Sequence, residues 1–340
     1  MGRVIAIVNQ KGGVGKTTSA VNLSAGLAMN NRSTLMIDMD PQCSGTSGLG
    51  IRLGPGEAST YDVLVGTATA EQALRRTMLP RLQVIGASAD LIGAEIELVQ
   101  VEDREQRLRQ ALATLRYRYD YIIMDCPPSL GLVTLNALTA CDALVIPLQC
   151  EYYALEGLSA LLQTIGLVRD NLNPDLAIDG LLLTMFDGRN TLCKQVAADV
   201  KTHFPDKVFD AVVPRNVRLS ESPSHGLPAL LYDHSSKGAK AYAALAEEVI
   251  ARVEGAGATD GAAREDLAEA EPADVAGPGG DDAGESIAAA QPGSEPKDKA
   301  DADDRAMAAA AGGSAAAVPE AAPEAPPENE PASTATTVGS

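Results

Sequence analysis

No stretch of this chain approaches the roughly 18 consecutive apolar residues that a membrane-spanning helix needs, so no span is expected. The N-terminus offers only a short apolar run, Val4 to Val8, with no small-residue cleavage site, and no secretory leader is expected. Cys-x-x-Cys pairs are absent. The five cysteines, Cys43, Cys126, Cys141, Cys150 and Cys193, are odd in number and widely spaced, which reads as reduced thiols in a soluble, cytoplasmic protein. From Glu254 to the end there is no Phe, Tyr or Trp and few large aliphatics. Such a segment cannot bury enough apolar surface to offset chain entropy, so a disordered acidic tail rich in Ala, Pro and Gly is expected over 254–340.

Charge is equally uneven. Residues 254–340 hold 19 acidic side chains against 4 basic ones, which leaves 27 acidic and 23 basic in the first 253. The net charge of −19 therefore belongs mostly to the tail, and a nearly neutral body is compatible with nucleic acid as a partner. One domain over 1–253 is the natural division, since 45% apolar content supports a sizeable core.

What is present begins at the N-terminus. Val4, Ile5, Ile7 and Val8 read as a buried strand that breaks into Gly12, Gly13, Val14 and Gly15 and reopens as a helix. The glycines let successive backbone N–H groups face an anion at the helix N-terminus. Lys16 can reach the β- and γ-phosphate oxygens and the Thr17 hydroxyl can ligate Mg²⁺, with Thr18 completing the cradle. The ordinary spacing would put a glycine at position 10, which is Gln10, and a second lysine, Lys11, stands inside the loop.

Further strands carry acids at their C-terminal ends, where a parallel α/β sheet places its ligands. Thr34 to Asp38 ends in Asp38 and Asp40 before Pro41, and Tyr119 to Asp125 has the form of a Walker B strand whose acid holds Mg²⁺. Pro127 and Pro128 then force a stiff loop out of the sheet, placed to sense a γ-phosphate. Residues 43–60 read as a loop, with helices around Tyr61–Val65 and Ala70–Arg76 and a short strand at Leu82–Ile85. Asp103 is expected to cap a helix bearing Leu108, Leu112 and Leu115. Beyond it come a strand at Ala143–Pro147, a helix at Tyr153–Val168, a strand at Ile178–Phe186 and a helix at about Leu192–His203. A strand at Val208–Val213 and a last helix at about Lys237–Arg252 complete the body. Strands alternating with helices define an α/β, doubly wound, mostly parallel sheet with helices on both faces.

The loop Lys11-Gly-Gly-Val-Gly-Lys-Thr, with Asp38-Met-Asp-Pro-Gln and Asp125-Cys-Pro-Pro-Ser, resembles the deviant Walker ATPases, and within them the ParA/Soj chromosome-partitioning family. Stretches such as Cys150-Glu-Tyr-Tyr-Ala-Leu-Glu-Gly-Leu and Pro214-Arg-Asn-Val-Arg-Leu-Ser-Glu extend the likeness to about residue 250. The resemblance implies an ATPase that uses ATP and Mg²⁺ and forms a homodimer on ATP binding. In that role Lys11 reaches the partner's phosphates much as an arginine finger does. It further implies that Asp40 positions the attacking water with Asp38 in support, that Pro214 and Asn216 hold the adenine, and that Arg189 and Arg218 hold double-stranded DNA without reading its sequence. Lys194, Lys201 and Arg215 would add to that patch. A ParB-type centromere-binding protein would stimulate hydrolysis, and the location implied is cytoplasmic and nucleoid-associated. The chain departs from the family's usual pattern at Cys43-Ser44-Gly45 and at Ser222.

Three other functions share parts of this pattern. A MinD-like ATPase of division-site placement ends in a basic amphipathic helix, whereas this C-terminus is acidic and no membrane partner is expected. A nitrogenase-type iron protein needs a second bridging cysteine, yet none occurs between Cys43 and Cys126. A bacterial tyrosine kinase of related fold would carry a tyrosine cluster in its tail, and this tail has no tyrosine.

Overall fold

The computed structural model describes residues 1–151 and 154–266, with the backbone alone described for 256–266 and for Glu156. The expected disordered tail lies almost wholly outside the described residues. Strand β1 (Arg3–Ile7) leads into helix α1 (Lys16–Met29), followed by β2 (Thr34–Asp38), α2 (Ser44–Gly48) and α3 (Thr60–Val65). Next come β3 (Leu74–Arg76), β4 (Leu82–Ile85), α4 (Leu91–Glu97), α5 (Arg107–Ala111), β5 (Tyr121–Asp125) and α6 (Leu132–Ala140). The described body closes with β6 (Ala143–Gln149), α7 (Ala154–Asn171), β7 (Ala177–Thr184), α8 (Thr191–His203), α9 (Val217–Glu221), α10 (Ala229–Tyr232) and α11 (Lys237–Asp266).

Seven strands make one sheet in the order β3-β4-β2-β5-β1-β6-β7. All pairings are parallel except that of β3 with β4. Period-two alternation sorts the side chains: Val4, Ala6, Leu35 and Ile37 face one apolar cluster, while Ile5, Ile7 and Met36 face another built with α1 and α11. Register places Ile7 and Asp38 both opposite Asp125, so the ends of three central strands converge on one rim.

Several expectations are corrected. Ala70–Arg76 is not a helix: its second half is the antiparallel edge strand β3, with Ala70 and Ala73 buried in the core and Leu74 packed against it. Residues 43–60, read as a loop, contain the short helix α2. Asp103 makes no side-chain cap; it adopts φ 52° before a 3-10 turn at Arg104–Gln106, which splits the expected helix, although Leu108, Leu112 and Leu115 are all buried. Val208–Val213 follows β7 through isolated bridges and is not a strand. The cause is Glu248, whose carboxylate accepts from Asp210 N and Ala211 N at 3.0 Å each and draws those amides from the ladder. The last helix, expected over about Lys237–Arg252, runs on as α11 to Asp266, and Glu254 pairs with Arg32.

Candidate nucleotide site and basic edge

The loop after β1 is fixed from three sides. Asn9 donates through Nδ2 to Pro147 O at 2.7 Å and accepts from Lys11 N at 2.9 Å, tying the loop to β6. Thr184 Oγ1 donates to Val14 O at 2.9 Å from the end of β7. Gly13 and Gly15 hold φ of 75° and 91°, a left-handed backbone that side chains rarely adopt, and α1 starts directly after Gly15. The first amides of α1 and the loop thus open onto a cleft of about 720 Å³. Its walls include Gly12, Gly13, Gly15, Lys16, Thr17 and Thr18, together with Asp40 from the β2 side and Pro127, Pro128 and Ser129 from the β5 side.

The two lysines are placed differently. Lys16 is buried, donates to Lys11 O at 3.1 Å, and its ammonium is held below the usual range by that burial, against the pull of Asp125 and Asp40. Lys11 is exposed and its Nζ lies 2.5 Å from Glu151 Oε2, outside the cleft.

The acids divide in the same way. Asp125 is fully buried, and both of its carboxylate oxygens lack a hydrogen-bond partner of ordinary geometry, although the nearby Thr17 hydroxyl opposes the upward shift. Burial, then the charge of Asp38, raise it well above the usual carboxylate range. A buried, unpartnered carboxylate beside a hydroxyl and an ammonium fits a Mg²⁺ ion carried in with phosphates, for which Thr17 and Asp125 are the residues that could hold it. Asp38 is saturated instead: it accepts from Asp40 N at 3.1 Å and from both the amide and hydroxyl of Thr46 at 2.7 Å. Burial pushes it up to about 6 in spite of those bonds. Asp38 therefore faces the loop that carries Asp40, while Asp40 itself lines the cleft.

A second cavity of about 440 Å³ adjoins the first, with Gly15, Thr18, Met185 and Pro223 in the walls of both. Pro214 and Asn216 line it, with Tyr242 beneath. Asn216 Oδ1 is already used, capping α9 through Arg218 N at 3.0 Å. Cys126 is buried and its thiol is pushed well above the usual range by burial, so it packs as a small apolar group.

Of the two candidate DNA arginines, Arg189 lies on the loop before α8 and Arg218 in the first turn of α9, and the Phe186–Pro214 bridge joins the segments that lead to them. Each is already engaged. Arg189 grips Asp187 through Nε and Nη2 at 3.1 and 3.0 Å, and it pulls that carboxyl down to about 2. Arg218 pairs with Glu221 at 2.7 Å and Asp233 at 3.3 Å.

Sequence reasoning missed the residues that hold the site in shape: Asn9, Thr46, Thr184 and Glu151. Single polar residues at strand ends or, for Thr46, inside the short helix α2 carry no spacing signal, and their partners lie up to 170 positions away.

A glycine loop between strand and helix, a buried lysine, and acids on two adjacent strand ends define a P-loop ATPase whose loop bears a second, outward lysine. The comparisons agree. The protein family described as an AAA domain matches residues 2–178. The sporulation initiation inhibitor protein Soj of Bacillus subtilis is 57% identical over 251 residues, 74% of this chain and 99% of Soj. The chromosome partitioning protein ParA of Myxococcus xanthus is 56% identical over 252 residues, 74% of this chain and 89% of ParA. Among solved structures, cobyrinic acid a,c-diamide synthase from Mycobacterium smegmatis with bound ADP and magnesium superposes with a TM-score of 0.66. It is 37% identical over 75% of this chain and 96% of its own. The cell division ATPase MinD of Pyrococcus furiosus gives 0.61 at 30% identity, over 73% and 98%. The chain belongs to the ParA/Soj family of chromosome-partitioning ATPases.

Among the described residues no helix is long and apolar enough to cross a membrane.

Proposed function

We propose that this chain is a partitioning ATPase whose ATP-bound homodimer holds double-stranded DNA without sequence preference and lets go when a ParB-type protein stimulates hydrolysis. ATP enters with Mg²⁺, its phosphates on the amides of Gly12 to Thr18 and its base between Pro214 and Asn216. Lys16 binds the β- and γ-phosphate oxygens. Thr17 and Asp125 would hold Mg²⁺, which when bound would neutralise charge on those oxygens. Asp40 orients the attacking water, and Asp38 fixes Asp40 through its amide.

The observation that carries the reading is the position of Lys11. Its ammonium stands outside its own cleft, on Glu151, while Lys16 lines that cleft. A cation so placed can exchange Glu151 for a facing subunit, where it meets charge developing on the transferred phosphoryl group. Dimerisation then completes the catalytic site and doubles the weak patch of Arg189 and Arg218, so that ATP governs DNA binding through avidity. A protein working this way acts in the cytoplasm, associated with the nucleoid.

DNA binding measured against salt, with ATP and with ADP, tests the reading. Binding should require ATP and disappear in Lys16→Ala. In Arg218→Ala it should weaken uniformly across sequences, with a shallower salt slope. Equal binding with ADP, or sequence-specific binding, would refute it.

A further inference from the structure

Helix α4 and the 3-10 turn that continues it, Leu98–Gln100, are apolar on two sides. Leu91, Ala94 and Leu98 are buried in the core. Ile92, Ile96 and Val99, at the i, i+4 and i+7 positions of the other side, are 64%, 74% and 47% exposed. Single exposed aliphatics are ordinary, but three in register on one helical face form a stripe that burial would reward. The surrounding segment 90–105 contains six acids and one base, Arg104. Among the described residues, Glu102 and Asp103 at its exposed end make no ion pair.

We propose that this stripe is the docking surface for a basic amphipathic helix of the partner protein that stimulates hydrolysis, a proposal that rests on the partner-stimulated cycle above. Charge selects the occupant. Double-stranded DNA and anionic lipid are repelled by the acidic border. A second copy packed on the same face would oppose like charges, and the chain's own C-terminal segment is itself strongly acidic. A helix presenting large aliphatics flanked by Lys and Arg satisfies both the stripe and its rim.

The same helix is wired to the nucleotide cleft. Glu95, between the stripe and the core, accepts from Leu132 N at 2.8 Å and Val133 N at 3.2 Å, and so holds the first turn of α6. A Cβ at Gly131 would meet that carboxylate, so a side chain at 131 would displace Glu95 from the amides of α6. One turn on, Thr134 Oγ1 donates to Ser129 O at 2.6 Å, and Ser129 lines the cleft beside Pro127 and Pro128. A partner pressing on α4 therefore moves the loop that faces the γ-phosphate. Glu95 is the positioning residue in this route.

The test uses the full chain with DNA and ATP, comparing wild type with the doubly substituted Ile92→Ser/Ile96→Ser. The exposed sites tolerate serine, so basal hydrolysis and ATP-dependent DNA binding should be unchanged. The concentration of ParB-type protein giving half-maximal stimulation should rise about ten-fold or more, as expected for removing two buried aliphatic contacts. Unchanged stimulation would overturn the proposal, and loss of ATP-dependent dimerisation would assign the stripe to the subunit interface instead. If wild type is not stimulated at all, the functional reading fails, and a second probe still decides the surface. This is a labelled synthetic helix of Leu and Lys, with a Leu/Glu helix as its charge control. The Leu/Lys helix should bind wild type about ten-fold or more tightly than the double variant, both having the same acidic tail. Equal binding would refute docking here. Glu95→Gln should keep peptide binding and lose stimulation; full stimulation in that variant would refute the route through α6.

Discussion

Thr46→Val removes one hydroxyl from the centre of the site at nearly constant volume. That hydroxyl donates to Asp38 at 2.7 Å and accepts from Ala87 N at 2.9 Å, in a residue only 2% exposed. A hydrogen bond to a charged acceptor contributes about 1.5–3 kcal/mol, and a buried N–H left without an acceptor costs about 1–3 kcal/mol. The two losses share one atom and are not fully additive, so about 3 kcal/mol is expected, or a fall in Tm of about 6–12 °C for a domain of this size. The deficit should depend on pH. Asp38 is raised from 3.8 to about 6 by burial, so its contribution to stability is full below the unfolded value and is lost as pH rises through the folded one. Removing the Thr46 donor raises Asp38 further, and the gap between variant and wild type should widen from pH 5 to pH 8. Thermal melts of the nucleotide-free protein in chelator across that range provide the assay. A variant within about 1 °C of wild type, or a deficit independent of pH, would refute the reasoning.

Other substitutions probe separate parts of the account. Gly180→Ala places a Cβ into the buried Phe209 ring and should cost about 1–3 kcal/mol from overpacking, read as a lower Tm. Tyr242→Phe removes the buried hydroxyl contact to Ser19 Oγ at 3.0 Å between α1 and α11; about 1 kcal/mol, or 2–4 °C in Tm, should be lost. Glu221→Gln frees Arg218 from one of its two carboxylates and should strengthen ATP-dependent DNA binding several-fold at low salt. The gain should shrink at high salt and in an Arg218→Ala background. Lys11→Ala breaks an exposed pair and should change stability by less than about 1 kcal/mol while abolishing ATP-driven dimerisation, as sedimentation would show.

Local signals carried the central sheet and the phosphate loop. Continuous aliphatic runs mark β1, β2 and β5, the last two ending in acids, because strands buried on both faces must be apolar throughout, and the rim of a parallel sheet is where acids are tolerated. The failures have long-range causes. Val208–Val213 has the composition of a strand, and the competitor that unmade it, Glu248, sits on a helix 38 residues from Asp210. The turn at Ala70–Arg76 is decided by pairing of β3 with β4, which no helical periodicity records. Lys11 was visible as an oddity of spacing. Its partner Glu151, 140 residues away, was not, and neither was the capture of Arg189 and Arg218 by Asp187, Glu221 and Asp233.

The central claim is that the catalytic site is incomplete in one chain and that ATP assembles two. Light scattering on the purified protein with a slowly hydrolysed ATP analogue and Mg²⁺ measures this directly. The account predicts a particle of twice the 35.2 kDa chain mass with the analogue, a single chain with ADP, and a single chain with the analogue in Lys11→Ala. A single chain under all conditions, or dimers formed equally well without Lys11, would contradict it.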